Sequence, residues 1–240
     1  MTQPLQSGIL YCMGRLYVVA TPIGNLGDIS ERALSVLREV EAIACEDTRH
    51  SRRLLTHFGI SRQLISCRSQ AADGGCVRGV LDILARDADV AYISDAGTPG
   101  VSDPGSTLVR EVRSAGHQVI PIPGASAVTA LLSVSGIAGR GWFFEGFLPP
   151  KGAKRTRRLA DLAERREAFV LYEAPHRIVR LFGELREIVP HYQTVVGREL
   201  TKLHEQIVAG SVGDIAQKLE SGGIPARGEF VVLVWPGKNG

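Results

Sequence analysis

Val90-Ala91-Tyr92-Ile93-Ser94-Asp95-Ala96-Gly97-Thr98-Pro99-Gly100-Val101-Ser102-Asp103-Pro104-Gly105 reads as a buried strand running into a ligand-sized loop. The apolar run Val90 to Ile93 is what a strand covered on both faces needs, and helical periodicity resumes only at Leu108. Between them stand three glycines, two prolines and two aspartates. Glycine permits close backbone approach or positive φ, and proline fixes φ. Asp95 sets a carboxylate at the carboxyl end of the strand, where open α/β sheets hold ligands. The loop carries no lysine or arginine, which argues against a phosphate cradle and for a ligand with positive charge or hydroxyls. The plainer alternative is a helix entry, with Ser102 or Asp103 capping a helix from Gly105 to Ala115.

Working outward, the same strand-to-loop junction recurs. Leu16 to Ala20 runs into Thr21-Pro22-Ile23-Gly24-Asn25-Leu26-Gly27, which is neither a GxGxxG nor a Walker A segment, so a dinucleotide-binding fold is disfavoured. Asp28 and Glu31 resemble a capping box opening an amphipathic helix through Ala33, Leu37 and Val40. Ala42 to Cys45 ends at Glu46-Asp47-Thr48-Arg49-His50, ahead of a helix from Ser51 to His57. Capping by Asp47 or Thr48 explains one of those five polar residues, and Glu46, Arg49 or His50 can face a ligand or substrate. A weak strand at Leu64 to Ser66, a loop from Arg68 to Gly75 and a helix from Val77 to Arg86 lead back to the central strand. Gln118 to Ile122 then runs into Pro123-Gly124-Ala125-Ser126-Ala127, with Ser126 either a helix cap or a site residue. The alternation predicts a parallel sheet whose strand ends share one edge.

Later the rhythm changes. Trp142 to Glu145, Phe169 to Glu173, Thr194 to Arg198, Glu205 to Ala209 and Phe230 to Val234 read as irregularly spaced strands of a mixed sheet. The expectation is an α/β protein with a parallel-sheet domain over 14–122 and a mixed-sheet domain over 123–240. Residues 1–13 form a loose extension, or translation starts at Met13. Lys151 to Arg158, with Arg165 and Arg166, is either a solvated helix face around Leu159 and Leu162 or a grip on RNA phosphates through Lys154, Arg155 and Arg158. Tyr172 to Arg177 and Arg198 to Glu205 each bring acid, imidazole and cation together at a strand end, as site residues, caps or surface ion pairs. Arg227-Gly228-Glu229 is a possible hairpin turn.

With 240 residues, 44% of them hydrophobic, the chain can bury a substantial core. Its net charge is only +3 despite 28 lysines and arginines, so any nucleic-acid contact must come from local clustering. The four cysteines form no CxxC pair, and no export signal precedes them. Reduced thiols in a cytoplasmic protein are the expectation, although Cys67 and Cys76 flank a small loop and could approach each other. No histidine stands near them at ligand spacing, so no metal site is expected there. No apolar run approaches the roughly 18 residues a membrane span requires.

The motifs Thr21-Pro22-Ile23-Gly24-Asn25-Leu26, Glu46-Asp47-Thr48-Arg49-His50, Ser94 to Gly105, Gly146-Phe147-Leu148-Pro149, Tyr172-Glu173-Ala174-Pro175-His176-Arg177, Arg198-Glu199-Leu200-Thr201-Lys202 and Gly228-Glu229 occur in this order. Order and spacing resemble the ribosomal RNA small subunit methyltransferase I family, the cytidine 2′-O-methyltransferases of the tetrapyrrole methylase superfamily. The likeness runs from Gly14 to Pro236 and implies the two-domain class III methyltransferase fold. It further implies S-adenosylmethionine in the cleft between the domains, a homodimer, and a cytidine ribose of 16S rRNA in the small ribosomal subunit as substrate. By position it marks Ile23, Gly24, Asp95, Ala96, Gly97, Thr98, Ser126, Ala127, Leu171, Tyr172 and Gly228 as cofactor contacts. One departure stands out: Ala71-Ala72-Asp73 replaces a His-Asn-Glu triplet usual in the family.

Transfer of a methyl group to a hydroxyl is an in-line displacement that needs alignment, exclusion of water and help from a base. Glu46, His176 and Lys202 are the candidate bases, Lys202 only if its pKa is lowered by burial or by a cation such as Arg198. Arg49, His50, Arg177 and Arg198 are the candidate substrate contacts beside the basic run, and no metal is required. Two rival readings share parts of the pattern. A tetrapyrrole or other small-molecule methyltransferase would keep the cofactor loops without needing the basic run. A non-catalytic RNA-binding or ribosome-assembly protein would keep the basic surface alone.

Overall fold

The alternation of apolar runs and amphipathic stretches builds two α/β units, Met1–Ala125 and Ser126–Gly240. The computed structural model describes residues 14–67, 74–102, 105–137 and 141–237; the expectations for the N-terminal extension, Ala71-Ala72-Asp73 and Asp103 lie outside them.

In the first unit β1 (Arg15–Val19), α1 (Glu31–Glu39), β2 (Ala42–Cys45), α2 (Thr48–His57), β3 (Gln63–Ser66), α3 (Gly75–Leu84), β4 (Val90–Ile93), α4 (Gly105–Ser114) and β5 (Gln118–Ile122) follow one another. The strands form one sheet in the order β3-β2-β4-β1-β5, every pairing parallel. β2 and β4 are buried at every position, as unbroken apolar runs must be when helices cover both faces. Pro121 fits within β5 because that strand lies at the sheet margin. The helices lay short apolar stripes on the sheet: Ala33 and Leu37 from α1, Val80 and Leu84 from α3, Leu108 and Val112 from α4.

Three local expectations change. Asp28 closes a 3-10 turn, and α1 is capped instead by Ser30, whose hydroxyl accepts the Ala33 N–H at 3.1 Å. Helix α2 starts at Thr48 rather than Ser51, because the Asp47 carboxylate accepts the Arg49 N–H at 2.7 Å. The third concerns the cysteines: Cys67 and Cys76 are joined in a disulfide, and Cys45 is a free, buried thiol. The Cys67 N–H donates to the Cys45 carbonyl at 2.8 Å just beyond β3, and Cys76 lies in the first turn of α3, which brings the pair together.

The second unit contains α5 (Ala127–Ser135), β6 (Trp142–Phe147), α6 (Ala153–Glu164), β7 (Ala168–Glu173), α7 (Ile178–Ile188), β8 (Gln193–Arg198), β9 (Gln206–Ser211), α8 (Val212–Glu220) and β10 (Phe230–Trp235). Its sheet, β6-β7-β10-β8-β9, is mixed: β6 and β7 are parallel and the other pairings antiparallel. Leu159 and Leu162 of α6, Leu181 and Phe182 of α7 and Ile215 of α8 share a core with Phe169, Val196 and Val232 of the sheet. Helix α5 packs on β8 and β10 through the buried Leu131.

Candidate active site

The parallel order of the first sheet brings the carboxyl ends of β2, β4, β1 and β5 side by side, and hydrogen bonds stitch the loops that leave them. Thr21 and Gly97 exchange backbone bonds, Thr21 N–H to Gly97 O at 2.9 Å and Gly97 N–H to Thr21 O at 3.1 Å. The buried Thr21 hydroxyl donates to Ser94 O at 3.3 Å, the Thr98 hydroxyl to Ala125 O at 3.1 Å, and the Asp47 N–H to Asp95 Oδ1 at 3.2 Å. Asp95 is half-buried, and its other oxygen accepts nothing from a described residue. Gly97 has φ +80, and a Cβ there would lie 3.2 Å from Ile23 Cγ2. The sequence candidates Ile23, Gly24, Asp95, Ala96, Gly97 and Thr98 thus occupy one stitched edge, with Glu46 at the neighbouring strand end. Arg49 and His50 are exposed on the first turn of α2.

In the second unit Ser126 precedes α5 in the capping position, yet its hydroxyl makes no capping bond. Tyr172 stacks edge-on against Phe144 at 5.1 Å and lies 5.5 Å from Phe147. Burial pushes the Tyr172 hydroxyl up, opposed by a backbone hydrogen bond from Val128 in the first turn of α5. Ser126, Ala127 and Tyr172 therefore share one neighbourhood. Leu171 is fully buried and takes part in the core beneath.

Gly228 belongs to a separate, tightly built cluster. Its φ is +87, and a Cβ would overlap the Glu199 carboxylate. Glu199 Oε1 accepts from Lys202 Nζ and from the Glu229 N–H, both at 2.9 Å, and Glu229 Oε2 stands 3.2 Å from the same ammonium. Burial alone would lower the Lys202 pKa, but the bonds to Glu199 and Glu229 outweigh it and hold it above the usual lysine range. Two carboxylates within 3.2 Å favour the protonated ammonium, which weighs against Lys202 as a base. Glu199 and Thr201 have φ +50 and +68, and the buried Thr201 Oγ1 finds no partner among the described residues. Left-handed backbone at a β-branched residue is a genuine outlier of the kind that gathers at functional sites. Glu199 and Glu229 stand within motifs the sequence singles out, but it assigns neither a role. Only the β8–β10 register, Phe230 opposite Arg198, carries Glu229 to this place, and no local pattern announces it.

The basic run separates into different fates. Arg155, a candidate phosphate contact, is wholly buried: it donates to Glu173 Oε2 at 3.0 Å, Glu184 Oε2 at 2.7 Å and the Pro149 carbonyl at 3.3 Å. This corrects the expectation, and the signal was present, because Arg155, Leu159 and Leu162 share the buried face of α6. Arg158 is neutralised by a two-pronged pair with Glu145 at 2.7 and 2.5 Å, whereas Lys154 is exposed. Arg177 stands 2.6 Å from Glu173 Oε1 without hydrogen-bond alignment. His176 is exposed in a 3-10 turn over Pro175–Arg177. Arg198 commits two donors to the carbonyls of Arg227 at 2.7 Å and His204 at 3.1 Å, bracing the Glu199 loop.

These features meet a family pattern. The profile of a family described as Tetrapyrrole (Corrin/Porphyrin) Methylases matches residues 15–216. Proteins named Ribosomal RNA small subunit methyltransferase I are similar over most of the chain. That of Neisseria meningitidis serogroup B (strain MC58) is 43% identical over 230 residues, covering 94% of this chain and 77% of the relative. That of Borrelia garinii subsp. bavariensis is 42% identical over 219 residues, covering 91% and 97%. That of Pseudomonas aeruginosa (strain PAO1) is 44% identical over 232 residues, covering 95% and 81%. Among solved structures, diphthine synthase matches with TM-score 0.70 at 15% identity, covering 93% of this chain and 90% of that one. The cobalt precorrin-4 methyltransferase CbiF matches with TM-score 0.64 at 16% identity, covering 92% and 94%. Likeness at such low identity speaks of the fold alone. The chain belongs to the tetrapyrrole methylase family, together with the relatives named ribosomal RNA small subunit methyltransferase I.

Proposed function

We propose that this chain uses S-adenosylmethionine to methylate the ribose 2′-oxygen of a cytidine in the decoding region of 16S rRNA, as a cytoplasmic homodimer acting on the assembled small subunit. The observation that carries the reading is 42 to 44% identity, over 91 to 95% of the chain, to relatives named for small-subunit rRNA methylation. The modest net charge of +3 favours an assembled particle, whose shape supplies specificity that a uniform basic field would not.

The residues fit the cofactor. A half-buried Asp95 whose second oxygen accepts nothing from a described residue, in a loop without lysine or arginine, suits a ligand carrying ammonium and sulfonium charge. Gly97 keeps the backbone open beside Ile23 and Gly24, while Ser126, Ala127, Tyr172 and Gly228 are the proposed adenosine contacts; Leu171, wholly buried, belongs to the core instead. When bound, S-adenosylmethionine supplies an electrophilic methyl group. The chain's own task is then to align the ribose oxygen, exclude water and receive its proton, and Glu46 and His176 remain the proposed bases. Lys202, held protonated by two carboxylates, acts as a hydrogen-bond donor and positive charge. Arg49, His50, Lys154 and Arg177 are the proposed phosphate contacts.

The test is transfer of labelled methyl from S-adenosylmethionine to small subunits from a strain lacking this gene, followed by nucleoside analysis. Label on a cytidine 2′-oxygen is the expected result. Absence of label with cofactor binding intact would overturn the substrate and turn the search to small-molecule acceptors. Sedimentation of the purified chain as a monomer at assay concentration would overturn the dimer.

A further inference from the structure

A groove of about 750 Å³ runs along α2, lined by Thr48, Arg49, Arg52, Arg53, Thr56 and His57. Arg49, Arg53 and His57 follow at intervals of four residues, with Thr48, Arg52 and Thr56 as the adjacent row, so one face carries a continuous stripe about 12 Å long. The opposite face holds the buried Ser51 and Leu55, so the stripe points away from the core. Among the described residues none of these guanidinium groups meets a carboxylate, and the helix contains no acidic residue. Its three arginines alone equal the +3 net charge of the whole chain.

An ordinary solvated helix mixes signs, as Arg180 and Glu184 do on α7. Helix α2 does the opposite twice. Arg49 and Arg53 repel at four-residue spacing, and Arg49 stands in the first turn, where the helix dipole disfavours cations. Local rules broken along one exposed face point to function. Forked guanidinium groups beside threonine hydroxyls suit phosphate oxygens. A lipid surface is disfavoured, because the stripe carries no exposed leucine, tryptophan or phenylalanine. The groove also starts beside the Asp95 edge, since the cap Asp47 donates its N–H to Asp95.

We propose that α2 is a phosphate-tracking surface that docks the rRNA backbone of the small subunit through Arg52, Arg53 and Thr56 as it leads toward the Asp95 edge. This rests on the RNA substrate proposed above. The test uses the full chain with Arg52→Ala/Arg53→Ala, measuring its affinity for purified small subunits across a salt series and its S-adenosylmethionine affinity by calorimetry. The expected result is about tenfold weaker subunit binding at about 0.1 M salt, with the salt slope reduced by about 1.4 to 1.8 for two lost phosphate contacts. Cofactor affinity should be unchanged, and Arg52→Lys/Arg53→Lys should recover most of the loss. Thr56→Glu, which sets one carboxylate in the groove, should weaken subunit binding in the same direction and covers the case of a misfolded double variant. Wild-type affinity and slope in folded variants, while the wild-type chain methylates subunits, would overturn this surface and leave the substrate standing. A wild-type chain that neither binds nor methylates subunits would overturn both.

Discussion

Arg155 and Glu173 meet at 3.0 Å with neither side chain exposed, and each has a second partner, Glu184 for Arg155 and Arg177 for Glu173. Removing Arg155 leaves the buried Glu173 with Arg177 still beside it, so the cost falls somewhat below the about 3–5 kcal/mol of a buried charge left with no partner. Arg155→Ala should lower the urea midpoint accordingly, while the folded fraction keeps its affinity for small subunits. A variant of unchanged stability with weakened subunit binding would return Arg155 to the RNA-contacting surface.

The Glu199–Lys202 pair should make stability depend on pH in two separate windows. Burial would raise the Glu199 carboxyl, but Lys202 and the Glu229 N–H pull it below its ordinary 4.5. Its contribution is therefore present above that value and lost as pH falls through the lowered one; Lys202, raised above 10.5, contributes below that value and loses its share as pH rises through the raised one. Glu199→Gln should be less stable than the native chain at neutral pH, and urea titrations should show the gap closing at strongly acid pH. A gap of constant size would show that packing, not charge, is responsible. Lys202→Arg should keep activity within about tenfold, because the charge is retained; a loss beyond about a hundredfold would restore Lys202 as a base.

Gly97→Ala and Asp95→Asn probe the stitched edge in different ways. The alanine must adopt φ +80 and press its methyl toward Ile23, so calorimetry should show S-adenosylmethionine binding weakened by at least about tenfold, with a stability loss of about 1–2 kcal/mol. Asp95→Asn keeps the shape and removes the charge, and should cost about tenfold in affinity with little change in stability. Native affinity in both variants would move the cofactor away from this edge.

The sheet of the first unit was legible because β2 and β4 must be covered on both faces, and unbroken runs such as Ala42 to Cys45 say so directly. The shared edge followed from parallel pairing, and so did the grouping of Ile23 with the Asp95 loop. Arg155 was misread because the composition of the basic run outweighed its helical phase. The ion pairs of Lys202 were hidden for another reason: its partner Glu229 arrives through the pairing of β8 with β10, a non-local fact absent from any window of sequence. The α1 cap moved two residues because Asp28 and Ser30 are equally suitable chemically, and only the turn at Leu26–Asp28 decides between them.

The Cys67–Cys76 disulfide closes a short loop, and cross-links of that span stabilise by about 2–3 kcal/mol through the unfolded chain. Cys67→Ser/Cys76→Ser should lose that amount in non-reducing urea titrations and show no further loss on adding reductant. Thiol counting under denaturing, non-reducing conditions checks the pairing directly, since two fewer reactive thiols should be found than cysteines in the sequence. A full count would mean that the pair is reduced in the isolated protein.

The mutual backbone bonds of Thr21 and Gly97 join two loops that are far apart in the chain into a miniature antiparallel bridge at the end of a parallel sheet. Segments rich in glycine and proline ordinarily lose conformational freedom when a ligand arrives, and that loss is subtracted from affinity. Here the freedom has already been surrendered during folding, before any ligand is met. A small molecule held at this edge therefore encounters a rigid mould, and its binding heat should owe little to rearrangement of the protein. Amide protons of Thr21 and Gly97 should exchange with solvent at nearly the same slow rate in the free protein, as two halves of a single cooperative unit.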